Sequence, residues 1–123
     1  MSKKASVLIV EDEKILRDAY ELILSTKGFD VLTAQNGVEG LAQLKKIRPA
    51  VMLLDIFMPV MDGQEVLRNL DKAEYPDTKI VVCSNLSDNA VIQEVLRNGA
   101  DKFVLKSNLG PQEMVKLVGE LAT

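Results

Sequence analysis

Leu53-Leu54-Asp55-Ile56-Phe57-Met58-Pro59-Val60-Met61-Asp62-Gly63 follows an apolar run that begins at Val51, breaks it with a carboxylate and then turns the chain. A short continuous apolar run bounded by turn residues suits a strand buried on both faces. A carboxylate at the end of such a strand lies at the sheet edge, where open α/β sheets bind their ligands. Asp55 is then either a site residue or an acid that merely caps the turn. This stretch alone leaves both open, and the other strand ends decide.

Outward from it the chain alternates. Val7-Leu8-Ile9-Val10 reads as a buried strand, followed at once by Glu11-Asp12-Glu13. From Lys14 to Lys27 the apolar residues Ile15, Leu16, Ala19, Tyr20, Ile23 and Leu24 recur at helical spacing, with Arg17, Asp18 and Glu21 on the other side and Gly28 as the stop. Val31–Ala34 is a weaker strand near a sheet edge. Asn36-Gly37 opens a second helix bearing Val38, Leu41, Ala42 and Leu44, which Pro49 ends. After the Met-Pro turn come a short helix with Val66, Leu67 and Leu70, a polar loop from Asp71 to Thr78, and the strand Ile80–Cys83 leading to Ser84. Ser87 or Asp88 can cap a fourth helix with Val91, Ile92, Val95 and Leu96. Phe103–Leu105 is the last strand, Lys106 follows it, and Pro111 suits the first position of a final helix.

Five strands alternating with five helices imply an α/β fold: a parallel sheet, helices on both faces and right-handed crossovers. The expected arrangement is the flavodoxin-like doubly wound sheet of order 2-1-3-4-5, filling residues 1–123 as one domain. The net charge of −3 and the lack of a basic run argue against direct nucleic-acid binding. No segment is long and apolar enough to span a bilayer and no secretion signal is visible, so a cytoplasmic location is expected. The single cysteine, Cys83, sits inside an apolar run and reads as a small buried hydrophobe. With no histidine, the commonest general base and zinc ligand are missing, and hard-metal and carboxylate chemistry remain.

In a parallel sheet all strands point the same way, so the residues after their carboxyl ends gather on one edge. Here these are Glu11 and Asp12, Asp55, Ser84 and Lys106. Crowded carboxylates repel unless they are protonated or neutralised. A divalent hard cation such as Mg²⁺ is the natural counter-charge, because it takes oxygen ligands and tolerates a partly aqueous shell. Asp55 would then have the cation on one side and Lys106 on the other, an arrangement that stabilises charge on a transferring phosphoryl group. A carboxylate can act as the nucleophile, forming an acyl phosphate, and Ser84 can donate a hydrogen bond to a phosphoryl oxygen.

On Val10-Glu11-Asp12, Leu54-Asp55, Met58-Pro59, Met61-Asp62-Gly63, Ser84 and Lys106, the sequence resembles the receiver domains of bacterial two-component systems, among them the single-domain chemotaxis type. The resemblance spans essentially the whole chain. It implies that Asp55 takes a phosphoryl group from the phosphohistidine of a sensor kinase or phosphotransfer protein. It further implies that Glu11, Asp12 and Asp55 hold Mg²⁺ with the Phe57 backbone carbonyl. Lys106 would contact the phosphoryl group, and Ser84 with Phe103 would form the switch pair. The output would be a changed binding surface on the fourth helix, last strand and last helix, with no reaction on a third molecule. By the same resemblance Phe57 and Leu86 flank the path of a hydrolytic water, and their apolar bulk implies a slowly decaying phosphoaspartate.

This chain departs from the family pattern at four positions. Glu11 stands for the commoner Asp, Ser84 for Thr, Asn85 for a small residue and Ser107 for a frequent Pro. Other classes fit less well. A flavin carrier needs a phosphate cradle where this chain has Glu11-Asp12-Glu13, and a haloacid-dehalogenase-like phosphatase wants a second acid where it has Phe57. A receiver-like interaction module that works without phosphorylation is the alternative, and it predicts decay of the acidic pocket.

Overall fold

A computed structural model describes residues 4–85 and 88–123. The strands are β1 (Ser6–Val10), β2 (Asp30–Ala34), β3 (Val51–Asp55), β4 (Lys79–Ser84) and β5 (Lys102–Leu105). Between and after them run α1 (Lys14–Thr26), α2 (Gly37–Ile47), α3 (Gly63–Arg68), α4 (Asn89–Arg97) and α5 (Pro111–Leu121). The strands form one parallel sheet in the order β2-β1-β3-β4-β5, the flavodoxin-like arrangement. Only β3 is buried along its whole length, as its unbroken apolar run requires, while β2 and β5 close the two edges and are half-buried.

Strand alternation divides the core in two. Leu8, Val10, Met52, Leu54, Ile80 and Val82 face one side, where α2, α3 and α4 cover them with Leu44, Val66, Leu67 and Val95. Val7, Ile9, Val51, Leu53, Val81 and Cys83 face the other, under Leu24 of α1 and Met114 and Val118 of α5.

Helix ends follow local chemistry. At Gly28 (φ 95°) the chain turns left-handed, Gly28 N–H reaches the Ser25 carbonyl and Phe29 N–H reaches the Leu24 carbonyl, which closes α1. Asn36 caps α2, and Asp62 with Glu65 forms a capping box on α3. Asp88 caps α4 by accepting from the amides of Ala90 and Val91, whereas Ser87 lies outside the described residues. The polar loop before β4 holds a 3₁₀ turn, Lys72–Glu74, and buries Tyr75 and Thr78.

Several inward faces differ from the apolar spacing. Ile15 is 84% exposed because the inward stripe of α1 runs through half-buried Leu16, Tyr20 and Ile23 and buried Leu24, one position off Ile15 and Ala19; Leu22, outside that stripe, is exposed. In α2 the inward stripe is Gly37, Gly40, Leu41, Leu44 and Ile47, so Val38 and Ala42 face outward. Gly40 lies there because a Cβ would come within 3.0 Å of Val10. Leu96 is exposed for the same reason of phase, and Leu70 packs from beyond the end of α3.

Gly63 matters most to the site. Its amide donates to the Ile56 carbonyl at 2.8 Å, and a Cβ would strike the Asp55 carbonyl oxygen and approach Ile56 Cα to 2.9 Å. Gly119 in α5 is its opposite, since a Cβ there would meet nothing within 4 Å. Gly63→Ala is therefore expected to lower stability by about 1–3 kcal/mol, whereas Gly119→Ala raises it by up to about 1 kcal/mol. Urea unfolding of the two variants checks the contrast, and a neutral Gly63→Ala would contradict the close approach.

Candidate functional site

The carboxyl ends of β1, β3, β4 and β5 meet on one edge. Glu11 continues β1, its amide donating to the Ala34 carbonyl at 3.0 Å, and its side chain is only 2% exposed. By strand alternation Glu11 and Asp55 share the α1/α5 side of the sheet. Lys106, at the start of a 3₁₀ turn (Lys106–Asn108), extends between them. Its Nζ donates to Glu11 Oε1 at 2.6 Å and stands 3.2 Å from Asp55 Oδ1. Glu11 Oε2 accepts from the Glu13 amide at 3.2 Å, so both oxygens of this acid are engaged. Asp12 is the most open of the three acids, and each of the three offers an oxygen within 4.8 Å of the others.

Two further side chains build the site, and neither stood out in the sequence. Arg17 of α1 reaches back so that Nη1 donates to the carbonyls of Glu11 (2.8 Å) and Asp12 (3.2 Å), tying down the acidic loop. A cation one turn into the helix after an acidic loop is the signal that could have found it. Tyr20 walls a cavity of about 10 Å³ together with Glu11, Asp55, Cys83 and Lys106, no larger than a single water needs.

The electrostatics follow from burial. Asp55 is 6% exposed; burial, then the Glu11 charge, push its carboxyl up to about 6, while Lys106 pulls the other way. Burial opposes the Lys106 ammonium, but the hydrogen bond to Glu11 and the charges of Asp55 and Glu11 outweigh it and raise its pKa. Burial raises the Tyr20 phenol too, with Lys106 acting against it. Cys83, level with Asp55 in the β3–β4 pairing, is pushed up to about 12 by burial and is a protonated filler, not a nucleophile.

Ser84 ends β4 one residue beyond Cys83 and is fully buried. It shares with Val82 the opposite side of the sheet, and Val82 is paired with Phe103. Ser84 and Phe103 thus lie on one face of adjacent strands, one step apart diagonally. Phe57 is 56% exposed on the loop after Asp55, and Leu86 lies outside the described residues. In that loop Val60 adopts φ 70°, a left-handed conformation costing a non-glycine residue about 1–2 kcal/mol. No cis peptide bond occurs among the described residues.

This all-oxygen donor set fits a hard divalent cation. Asp12 and the Asp55 oxygen that Lys106 does not engage are the donors left for it, since Glu11 is held by Lys106 and the Glu13 amide.

Residues 7–119 match the family described as the response regulator receiver domain. The chain belongs to that family. The receiver is 31% identical to the chemotaxis protein CheY of Thermotoga maritima over 94% of this chain and 96% of that protein. It is also 35% identical to the transcriptional regulatory protein AfsQ1 of Streptomyces coelicolor, over 82% of this chain but 44% of that protein. Among solved structures it resembles a CheY-like receiver domain protein of Methanospirillum hungatei, with a TM-score of 0.89, 26% identity and coverage of 98% and 94%. The chemotaxis protein CheY4 of Vibrio cholerae follows with 0.87, 29% identity and coverage of 97% and 99%. The chain is a receiver domain of two-component signalling whose acidic triad is Glu11, Asp12 and Asp55.

The raised Asp55 pKa makes stability depend on pH. Below the unfolded value of 3.8 the carboxyl is protonated whether the chain is folded or not. Between there and about 6 the folded receiver keeps a proton that the unfolded chain has released, so stability falls as pH rises through this window. Above it the full cost is carried, with a ceiling of about 3 kcal/mol. Asp55→Asn is expected to raise the melting temperature at pH 8 by roughly 5–10 °C, with the gain vanishing below the window. Thermal melts across pH measure this, and a gain equally large at low pH would contradict it.

Proposed function

We propose that Asp55 is the phosphoacceptor of a two-component phosphorelay, taking its phosphoryl group from the phosphohistidine of a sensor kinase or phosphotransfer protein. A carboxylate oxygen of Asp55 attacks phosphorus, the new P–O bond forms as the P–N bond breaks, and the imidazole leaves with a proton. The observation that carries this reading is Lys106, whose ammonium lies 3.2 Å from Oδ1 and is held there by Glu11. One oxygen is thus steered by a fixed cation, and Oδ2 makes no hydrogen bond or ion pair among the described residues. The ionised form is the nucleophile, so its raised pKa leaves it reactive at neutral pH yet costly to keep charged.

The cofactor is Mg²⁺, which when bound would neutralise the crowded acids and the charge of the phosphoryl group; Asp12 and Asp55 would hold it directly with the Phe57 carbonyl, and Glu11 through water, because its own oxygens are engaged by Lys106 and the Glu13 amide. Supporting this is the all-oxygen cluster at the end of two buried strands. The switch is the pair Ser84 and Phe103. Phosphate draws the hydroxyl toward the site, vacating space into which the ring turns, and so reshapes the α4/β5/α5 face that a downstream protein reads. Their shared side of the sheet on adjacent strands supports the coupling. We place the receiver in the cytoplasm with its kinase; no helix among the described residues is long and apolar enough to cross a membrane.

Incubation with Mg²⁺ and acetyl phosphate tests the reading. One phosphoryl group should appear by mass spectrometry, map to Asp55, survive acid and be lost in base. Asp55→Asn should take none, and Asp12→Ala should need far more Mg²⁺. Labelling that persists in Asp55→Asn would remove the assignment, and no labelling at all would favour a module that works without phosphorylation.

A further inference from the structure

A second surface lies between the later turns of α1 and the first turns of α5, where an open groove of about 510 Å³ is walled by Leu22, Ile23 and Lys27 on one side and Pro111, Val115 and Lys116 on the other. None of Glu11, Asp12, Asp55, Ser84, Phe103 or Lys106 lines it. Leu22 is largely exposed there, although a leucine gains by burial. The only charged side chains lining the groove are the two lysines, on a chain whose net charge is −3.

Gly119 adds an independent observation. It stands four residues after Val115 and three after Lys116, on the same face of α5. Glycine weakens a helix interior relative to alanine, and none of the described residues requires it here, because a Cβ would meet nothing within 4 Å. The groove wall therefore passes into a bare stretch of backbone that another chain can approach closely.

We propose that this groove docks an amphipathic, acidic helix of a partner protein. Apolar side chains spaced i, i+3 or i+4, and i+7 would seat between Leu22 and Val115 while flanking carboxylates reach Lys27 and Lys116. A groove running between two helices suits a third helix, and the two lysines in its otherwise uncharged lining select acid over base. A second copy of the chain is the poorer occupant. A two-fold contact brings the same patch to both sides and would set these lysines against each other.

Two synthetic helical peptides with the same leucine stripe, one flanked by glutamates and one by lysines, test the proposal against the full chain by fluorescence anisotropy and amide-shift mapping. The glutamate peptide should bind at least tenfold more tightly, with shifts confined to residues 22–27 and 111–119. Lys27→Glu with Lys116→Glu should invert the ranking, and Gly119→Gln should weaken binding severalfold while melting no lower than the parent. Asp55→Asn should bind the peptide unchanged, so failure of the phosphoacceptor assignment leaves this result standing. Equal affinities, an uninverted ranking, shifts elsewhere, no binding at about 1 mM, or self-association through these residues in sedimentation would each overturn it.

Discussion

The site depends on one ammonium wedged between two buried carboxylates. Glu11 and Asp55 leave two adjacent parallel strands on the same side of the sheet, where both carboxyl groups are buried side by side. Lys106 resolves this in part, bonding closely to Glu11 and less closely to Asp55. The unequal split leaves Glu11 satisfied and Asp55 with a raised pKa, a carboxylate still short of positive charge. Such an acid favours a proton or a bound cation.

The fold supplies the wedge through topology. Three strands that are distant in sequence end level with one another because they are parallel and in register, and Gly63 lets α3 start hard against the carbonyl of Asp55. Arg17 holds the acidic loop by its backbone carbonyls without entering the charge cluster. Lengthening the first acid to Glu11 gives it the reach to meet Lys106 at 2.6 Å while its second oxygen takes the Glu13 amide. This departure from the family pattern changes how the lysine is held more than it changes what chemistry the pocket can host.

Much of this was legible in the sequence because strand and helix patterns alternate strictly and Asp55, Glu11, Asp12, Ser84 and Lys106 all follow strong apolar runs. The gathering of these groups on one edge follows from that alternation, whereas the strand order was an expectation taken from the flavodoxin-like arrangement and is not displayed by the sequence itself. Phase along a helix was less legible. Ile15, Val38 and Leu96 lie within one position of the buried stripes, and glycines such as Gly40 occupy inward places that an apolar count passes over. Arg17 and Tyr20 were missed because spacing reports which face a residue occupies, not how far a long side chain bends back. The division of Lys106 between two acids depends on distances of a few tenths of an ångström, which no spacing carries.

Titration of the Asp55 side-chain carbon by ¹³C NMR, without metal and with saturating Mg²⁺, measures the charge shortfall at this carboxylate most directly. The metal-free midpoint should lie near 6, as burial and the Glu11 charge require, and fall markedly when the cation is added. A midpoint near the ordinary 3.8 that Mg²⁺ leaves unmoved would contradict such a shortfall.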